Sequence, residues 1–230
     1  MLYLVGSPIG NLSDISLRAL EVLKNVNIIA AEDTRRTLIL LERYDIRKPL
    51  TSFHEHNEAK RTAELIEKMR MGDKVALVSD AGMPSISDPG YRIVRACIEA
   101  GIPVEVIPGP SAVITAIVGS GLPTDRFYYG GFLPVKSGQR QKELLAALSR
   151  EVTSVYFESP HRIIRSLTTL RDADPARSIC VARELTKQHE EYRRGAVAEV
   201  LSYYESHPPK GEITLIIAGS TARGSAQSDL

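Results

Sequence analysis

The chain has 230 residues, 43% hydrophobic and 25% charged, which is the composition of a soluble globular protein and long enough for one large domain or two ordinary ones. Its 29 basic and 28 acidic residues leave a formal charge of +1, so the molecule is no polycation, and any contact with nucleic acid must be made by a local patch. Two cysteines far apart, Cys97 and Cys180, exclude a disulfide scaffold or a CxxC zinc site, fit a reducing cytoplasm and read as core thiols.

The N-terminal MLYLVGSPIG lacks the basic start of a signal peptide. LYLVG is a short strand ending in SPIGN. Ser13 or Asp14 can cap the helix ISLRALEVLKNV. NIIAA is a second strand, followed by polar EDTRR and the helix TLILLERY. PLTSFHEHNE is a strand end with a polar tip, and Asn57 opens an amphipathic helix to Met71. KVALVS is a strand, and DPGYRIVRACIEAG a helix with Pro89 near its start and Gly101 past its end. IPVEVIPGPS adds a strand. SAVITAIVGS adds a helix, and the apolar stretch around it is too short to span a membrane.

Gly119, Gly121, Pro123, Gly130 and Gly131 mark a joint. Beyond it come the helix KSGQRQKELLAALSR, the strand TSVYFES and the helix after Pro160. The strand ARSICVARELT, a turn and helix in EYRRGAVAEVLSYYES and the strand GEITLIIAG complete the order. The expectation is an α/β protein of two α/β domains, residues 1–120 with a mostly parallel sheet and 121–219 with a mixed one. A tail, 220–230, is poor in apolar residues and reads as disordered.

In such a parallel sheet, ligands bind beyond the carboxyl ends of the strands. Those ends carry SPIGN, EDTRR, SFHEHN, SDAGMPSISDPG and PGPS. The fourth loop matches neither GxGxxG nor GxxxxGK[ST], and the one basic residue nearby, Lys74, lies on the wrong side of the strand. That argues against a nucleoside triphosphate and for a ligand with hydroxyls and a positive charge, met by Asp80. Asp88 reads as the N-cap of the following helix.

The blocks LVGSPIGNLSDIS, AAEDTR, HEHNE, VALVSDAGMPSISDPG, VIPGPSAVITA, GLPTDRFYYGGFLP, YFESPHRI, VARELTK and GEITLII follow one another across nearly the whole chain. In that order they resemble the bacterial ribosomal RNA small-subunit methyltransferase I family. The resemblance implies the tetrapyrrole-methylase fold, a homodimer, and S-adenosylmethionine (SAM) bound in a cleft between two domains. It implies methylation of the ribose 2′-hydroxyl of a cytidine in the decoding region of 16S rRNA. By family pattern Pro8, Asp80, Gly82, Met83, Ser111 and Ala112 line the cofactor site, with Phe157, Ala182 and Thr214 from the second domain. Asp80 binds either the ribose hydroxyls or the ammonium. Many members continue past GEITL into a small helical extension, whereas this chain ends shortly after it.

Methyl transfer from a sulfonium needs alignment and a base for the hydroxyl proton, and no metal. Candidates are Glu32, Asp33, His54, His56, Glu158, His161, Glu184 and Lys187. Adjacent Glu32 and Asp33 point to opposite sides of an extended chain, so at most one faces the ligand. Glu32 leads as base, with Lys187 easing the developing alkoxide. Arg35, Arg36, Lys136, Arg140, His161, Arg162, Arg193 and Arg194 are basic candidates for RNA contact. Phe53 and Tyr128 read as core or joint residues before base-stacking ones. The competing readings are a tetrapyrrole methyltransferase of the same fold, disfavoured by the basic loops, and a non-catalytic ribosome-binding relative, disfavoured by the intact SDAGMP and PGPS loops.

Overall fold

The computed structural model describes residues 1–220, so the expectation for the tail falls almost wholly outside the described residues. The chain divides into two compact units, Met1–Ser111 and a second that begins at Ala112.

The first unit runs β1 (Leu2–Val5), α1 (Leu17–Asn25), β2 (Ile28–Ala31), α2 (Thr34–Arg43), β3 (Leu50–Ser52), α3 (Glu58–Arg70), β4 (Val75–Val78), α4 (Tyr91–Glu99) and β5 (Val104–Ile107). Its sheet is parallel throughout, in the order β3-β2-β4-β1-β5. Both faces are covered, and alternate residues of each strand serve opposite cores. Val5, Ile29, Ala31, Ala76 and Val78 pack with Ala19, Leu23, Leu40 and Leu41 of α1 and α2. Leu2, Leu4, Ala30, Val75 and Leu77 pack with Leu65, Ile66, Met69, Ile93 and Cys97 of α3 and α4. This follows from right-handed crossovers: β1 and β2 connect toward one edge, β3 and β4 toward the other. The adjacent strands β1 and β4 therefore send their chains to opposite faces, which opens a crevice at their carboxyl ends.

The cap of α1 differs from the expectation. Ser16, not Ser13 or Asp14, caps α1 by accepting from the Ala19 amide at 3.1 Å. Residues Leu12–Asp14 form a short 3-10 turn capped by Asn11.

The second unit comprises α5 (Ala112–Ser120), β6 (Phe127–Phe132), α6 (Ser137–Ser149), β7 (Thr153–Glu158), α7 (Ile163–Ala173), β8 (Ser178–Arg183), β9 (Glu191–Ala196), α8 (Val197–Ser206) and β10 (Ile213–Ile217). The order is β6-β7-β10-β8-β9, with β6 parallel to β7 and the other pairs antiparallel. Leu144, Leu167, Leu170, Val200 and Leu201 of α6, α7 and α8 build one core on Tyr156, Val181 and Leu215. Helix α5 lies against β7, β8, β9 and β10, which is why it groups with this unit although its sequence follows the fifth strand directly. Strands β6 and β9 lie where the sequence reads as a joint and a turn. Both are edge strands, one interrupted by Gly130-Gly131 and the other rich in charge, which are ordinary edge features.

Both cysteines are buried, and burial pushes their thiols up to about 11, as suits core residues. No helix among the described residues is long and apolar enough to cross a membrane.

Candidate functional site

The loops after β1, β4 and β5 meet at the crevice. Ser7 and Gly82 exchange backbone bonds of 2.9 and 3.1 Å, locking the first loop to the fourth. The Ser7 hydroxyl adds bonds to the Ser79 carbonyl at 3.1 Å and the Gly82 carbonyl at 3.3 Å. Gly6 and Gly109 touch backbone to backbone: a Cβ on Gly6 would lie 2.7 Å from the Gly109 Cα and from the Met83 sulfur. Only glycine permits so close an approach of the two backbones. Pro8 and Gly82 are buried in this cradle, while Met83 and Ser111 are half-buried at it. The segment after Gly82 is strained, with Ser85 and Ser87 at φ of 72° and 62°, a region non-glycine residues seldom occupy.

Carboxylates gather on the same edge. Asp33 accepts from the Arg35 amide at 2.9 Å as the N-cap of α2 and pairs with the Arg35 guanidinium at 2.7 Å, which holds it down at about 2. Glu32 points the other way and accepts from the Asp80 amide at 3.5 Å. Asp80 in turn accepts from the Asp33 amide at 2.9 Å and lies 3.4 Å from Arg36. Burial first, and then the Asp80 charge, raise the Glu32 carboxyl above the ordinary range.

Asp88 corrects an expectation. The N-cap of α4 is Gly90, so Asp88 does not cap that helix. Its carboxyl is bonded to Ser79 and senses Glu32 and Asp80. Burial, then Glu32, push it up to about 7. Glu32, Asp80 and Asp88 thus form one acidic edge, and the sequence reading missed its third member. His54 sits close enough to oppose the rise at Glu32, and its Nε2 lies 3.1 Å from the Asn57 side-chain Nδ2. Among the described residues no group of three or more His, Cys, Asp or Glu is arranged to hold a metal ion.

In the second unit, three residues expected from three separate blocks share one row. Thr214 pairs with Phe157 on one side and with Ala182 on the other. The row continues to Phe132 and Tyr192 and faces away from the core that α6, α7 and α8 cover, on the side that carries α5. Ala112 opens α5.

The basic candidates separate. Arg35 and Arg36 are exposed, as are Lys136 and His161. Arg140 is buried, 7% exposed, and donates to the carbonyls of Pro134 and Val135 at 3.2 and 3.0 Å, so it braces the start of α6 and is withdrawn from RNA contact. Arg162 is tied to buried Glu158 at 2.7 Å, and Glu158 also accepts from the Ser166 hydroxyl, which leaves Glu158 structural. Lys187 sits 2.9 Å from both Glu184 and Glu212, whose bonds outweigh burial and keep it protonated. Arg194 donates to the Gly119 and Ser120 carbonyls, and Arg193 lies 3.6 Å over the Tyr203 ring. Phe53 is core, while Tyr128 is 38% exposed beneath the Arg150 guanidinium.

A parallel sheet joined to a mixed one, with glycine-lined loops at the switch point of the first, defines a fold class. The family described as Tetrapyrrole (Corrin/Porphyrin) Methylases matches residues 1–201. Among solved structures, uroporphyrin-III C-methyl transferase from Thermus thermophilus complexed with S-adenyl homocysteine aligns with a TM-score of 0.65 at 19% identity, over 96% of this chain and 98% of that one. Ribosomal RNA small subunit methyltransferase I of Thermotoga maritima is 48% identical over 95% of this chain and 98% of its own length. The Synechocystis protein of the same name is 49% identical over 96% of this chain and 80% of its own. The chain belongs to the ribosomal RNA small subunit methyltransferase I family within the tetrapyrrole methylases, and is a methyltransferase.

Proposed function

We propose that this methyltransferase takes its methyl group from SAM and transfers it to the ribose 2′-hydroxyl of a cytidine in the decoding region of 16S rRNA. The observation that carries the reading is the acidic edge of Glu32, Asp80 and Asp88 beside the Gly6–Gly109 cradle. That donor set suits a ligand that is cationic and rich in hydroxyls. The loop after β4 matches neither glycine-rich phosphate-loop pattern, as a triphosphate site would. Bound there, SAM supplies an activated methyl group and a neutral thioether leaving group.

Glu32 takes the hydroxyl proton. A carboxylate raised by burial is a stronger base than one in water, and the Asp80 amide holds it in place. Asp80 accepts hydrogen bonds from the cofactor's hydroxyl or ammonium groups. Pro8, Gly82, Met83, Ser111 and Ala112 admit it by backbone and small or flexible side chains, and Phe157, Ala182 and Thr214 are proposed as its further contacts. Lys187 enters as a cation whose exposed partner, Glu212, can be exchanged for substrate. Arg35, Arg36, Lys136 and His161 engage phosphates; Arg162 joins them only by leaving Glu158. The proposed setting is a cytoplasmic homodimer acting on the small ribosomal subunit.

The test is a methyl-transfer assay with labelled SAM, offering assembled small subunits, free 16S rRNA and a tetrapyrrole in parallel, followed by nucleoside analysis. The expected product is 2′-O-methylcytidine. Label on a base or on the tetrapyrrole would overturn the reading.

A further inference from the structure

The HEHNE block contributes a buried carboxylate that the proposed chemistry does not use. Glu58 is the first residue of α3 and is 9% exposed. Its carboxylate accepts the Gly90 amide at 3.1 Å, across 32 residues of sequence, and lies 3.4 Å from the Arg92 guanidinium. Gly90 is the N-cap position of α4 and brings no side-chain cap of its own. Glu58 therefore caps a helix it does not belong to. It also sits in the first turn of its own helix, so two helix N-termini favour one negative charge. These contacts offset the cost of burying a carboxylate.

Gly90 closes the segment that begins at Ser79. The near end of that segment is fixed by the paired Ser7 and Gly82 backbones. At the far end Gly90 has φ of 147°, and the Ser85 hydroxyl lies where a Cβ would stand, so the segment doubles back onto its own end. Between the two fixed points stand Met83, strained Ser85 and Ser87, and Asp88. Strained backbone persists only where its surroundings over-determine it.

We infer that Glu58 is a positioning residue: by fixing Gly90 from α3 it holds residues 83–90 in the conformation that receives the methyl donor, and so sets affinity for that donor without touching it. The inference rests on the reading of this segment as part of the SAM site. In Glu58→Ala, Kd and KM for SAM rise about tenfold while kcat at saturating SAM stays within about twofold, the pattern of lost binding rather than lost chemistry. Glu58→Gln, whose amide oxygen still accepts from the Gly90 amide, stays within about threefold of wild type. Hydrogen exchange at residues 83–90 is faster in Glu58→Ala than in wild type, with circular dichroism unchanged.

A folded Glu58→Ala that binds SAM as wild type does, or that loses kcat with KM unchanged, overturns the inference. Should Glu58→Ala fail to fold, Arg92→Ala removes the exposed partner and carries the same expectation at about threefold; no change in KM there counts against it. If wild type itself binds no SAM, the cofactor reading fails, and exchange at residues 83–90 still decides whether Glu58 pins the segment.

Discussion

At the end of the first sheet, Glu32, Asp80 and Asp88 face one another, with Arg36 3.4 Å from Asp80. The second unit treats charge differently. Buried Arg177 meets Asp174 at 3.0 Å and also donates to the carbonyls of Ala218 and Leu148. Glu158 is met by Arg162 and Ser166, and Glu143 by Arg150 and the buried Tyr156 hydroxyl. There Asp174, Glu158 and Glu143 are each matched, and the network ties helices to strands. At the edge of the first sheet like charges are brought together, although elsewhere in that unit Glu58 is matched by Arg92. Matched charge holds a fold; crowded like charge stores a preference for a proton or a cation, which is what the proposed site for a sulfonium and a hydroxyl proton requires.

The largest effect should come from breaking a matched network. Arg177→Ala removes a buried guanidinium from Asp174 and from the Ala218 and Leu148 carbonyls, and urea unfolding should show a loss of about 4 kcal/mol. Next is the crowded edge: Glu32→Gln should lower kcat about a hundredfold while SAM affinity by calorimetry stays within about threefold. A near-wild-type kcat would remove Glu32 from the role of base.

Asp88 sharpens the contrast through pH. Its carboxyl is raised to about 7 in the folded chain, so the stability tied to its bound proton is complete below the ordinary carboxylate range and is lost as pH rises through about 7. Asp88→Asn should therefore be more stable than wild type at pH 8, by about 2 kcal/mol once solvent screening is discounted, with a narrower gap at pH 5 that closes only below the ordinary carboxylate range. An equal gap at both values would mean that packing, not charge, explains it. Smallest is Lys136→Ala, which should weaken RNA binding about threefold and flatten its salt dependence, whereas Arg140→Ala should act on stability instead.

Much of the first unit was legible, because each strand is an apolar run between polar loops. Its loops fall on one edge for the same reason, so the nearness of Asp80 and Glu32 follows from their positions after two strands. Asp88 was misread because an Asp just before a helix usually caps it; here the cap position is Gly90, served by a carboxylate thirty-two residues away that no local pattern announces. Arg140 reads as exposed because it lies in the basic first half of its helix, and its burial depends on carbonyls that only the fold places beside it. Strands β6 and β9 were hidden by glycine and charge, the residues that keep edges from pairing.

Ser79 gives the acidic edge a further property. Its hydroxyl has one hydrogen and three acceptors in range: the Ala81 carbonyl at 3.5 Å, the Gly82 carbonyl at 3.3 Å and the Asp88 carboxylate. While Asp88 keeps its proton it donates to the Ser79 oxygen, and the hydroxyl hydrogen serves the Gly82 carbonyl. Once Asp88 ionises, the hydrogen turns to the carboxylate, and Gly82 retains the Ser7 amide at 2.9 Å. The one hydroxyl hydrogen is thus shared between the acidic edge and the glycine that locks the first loop to the fourth, so the two features draw on a single donor.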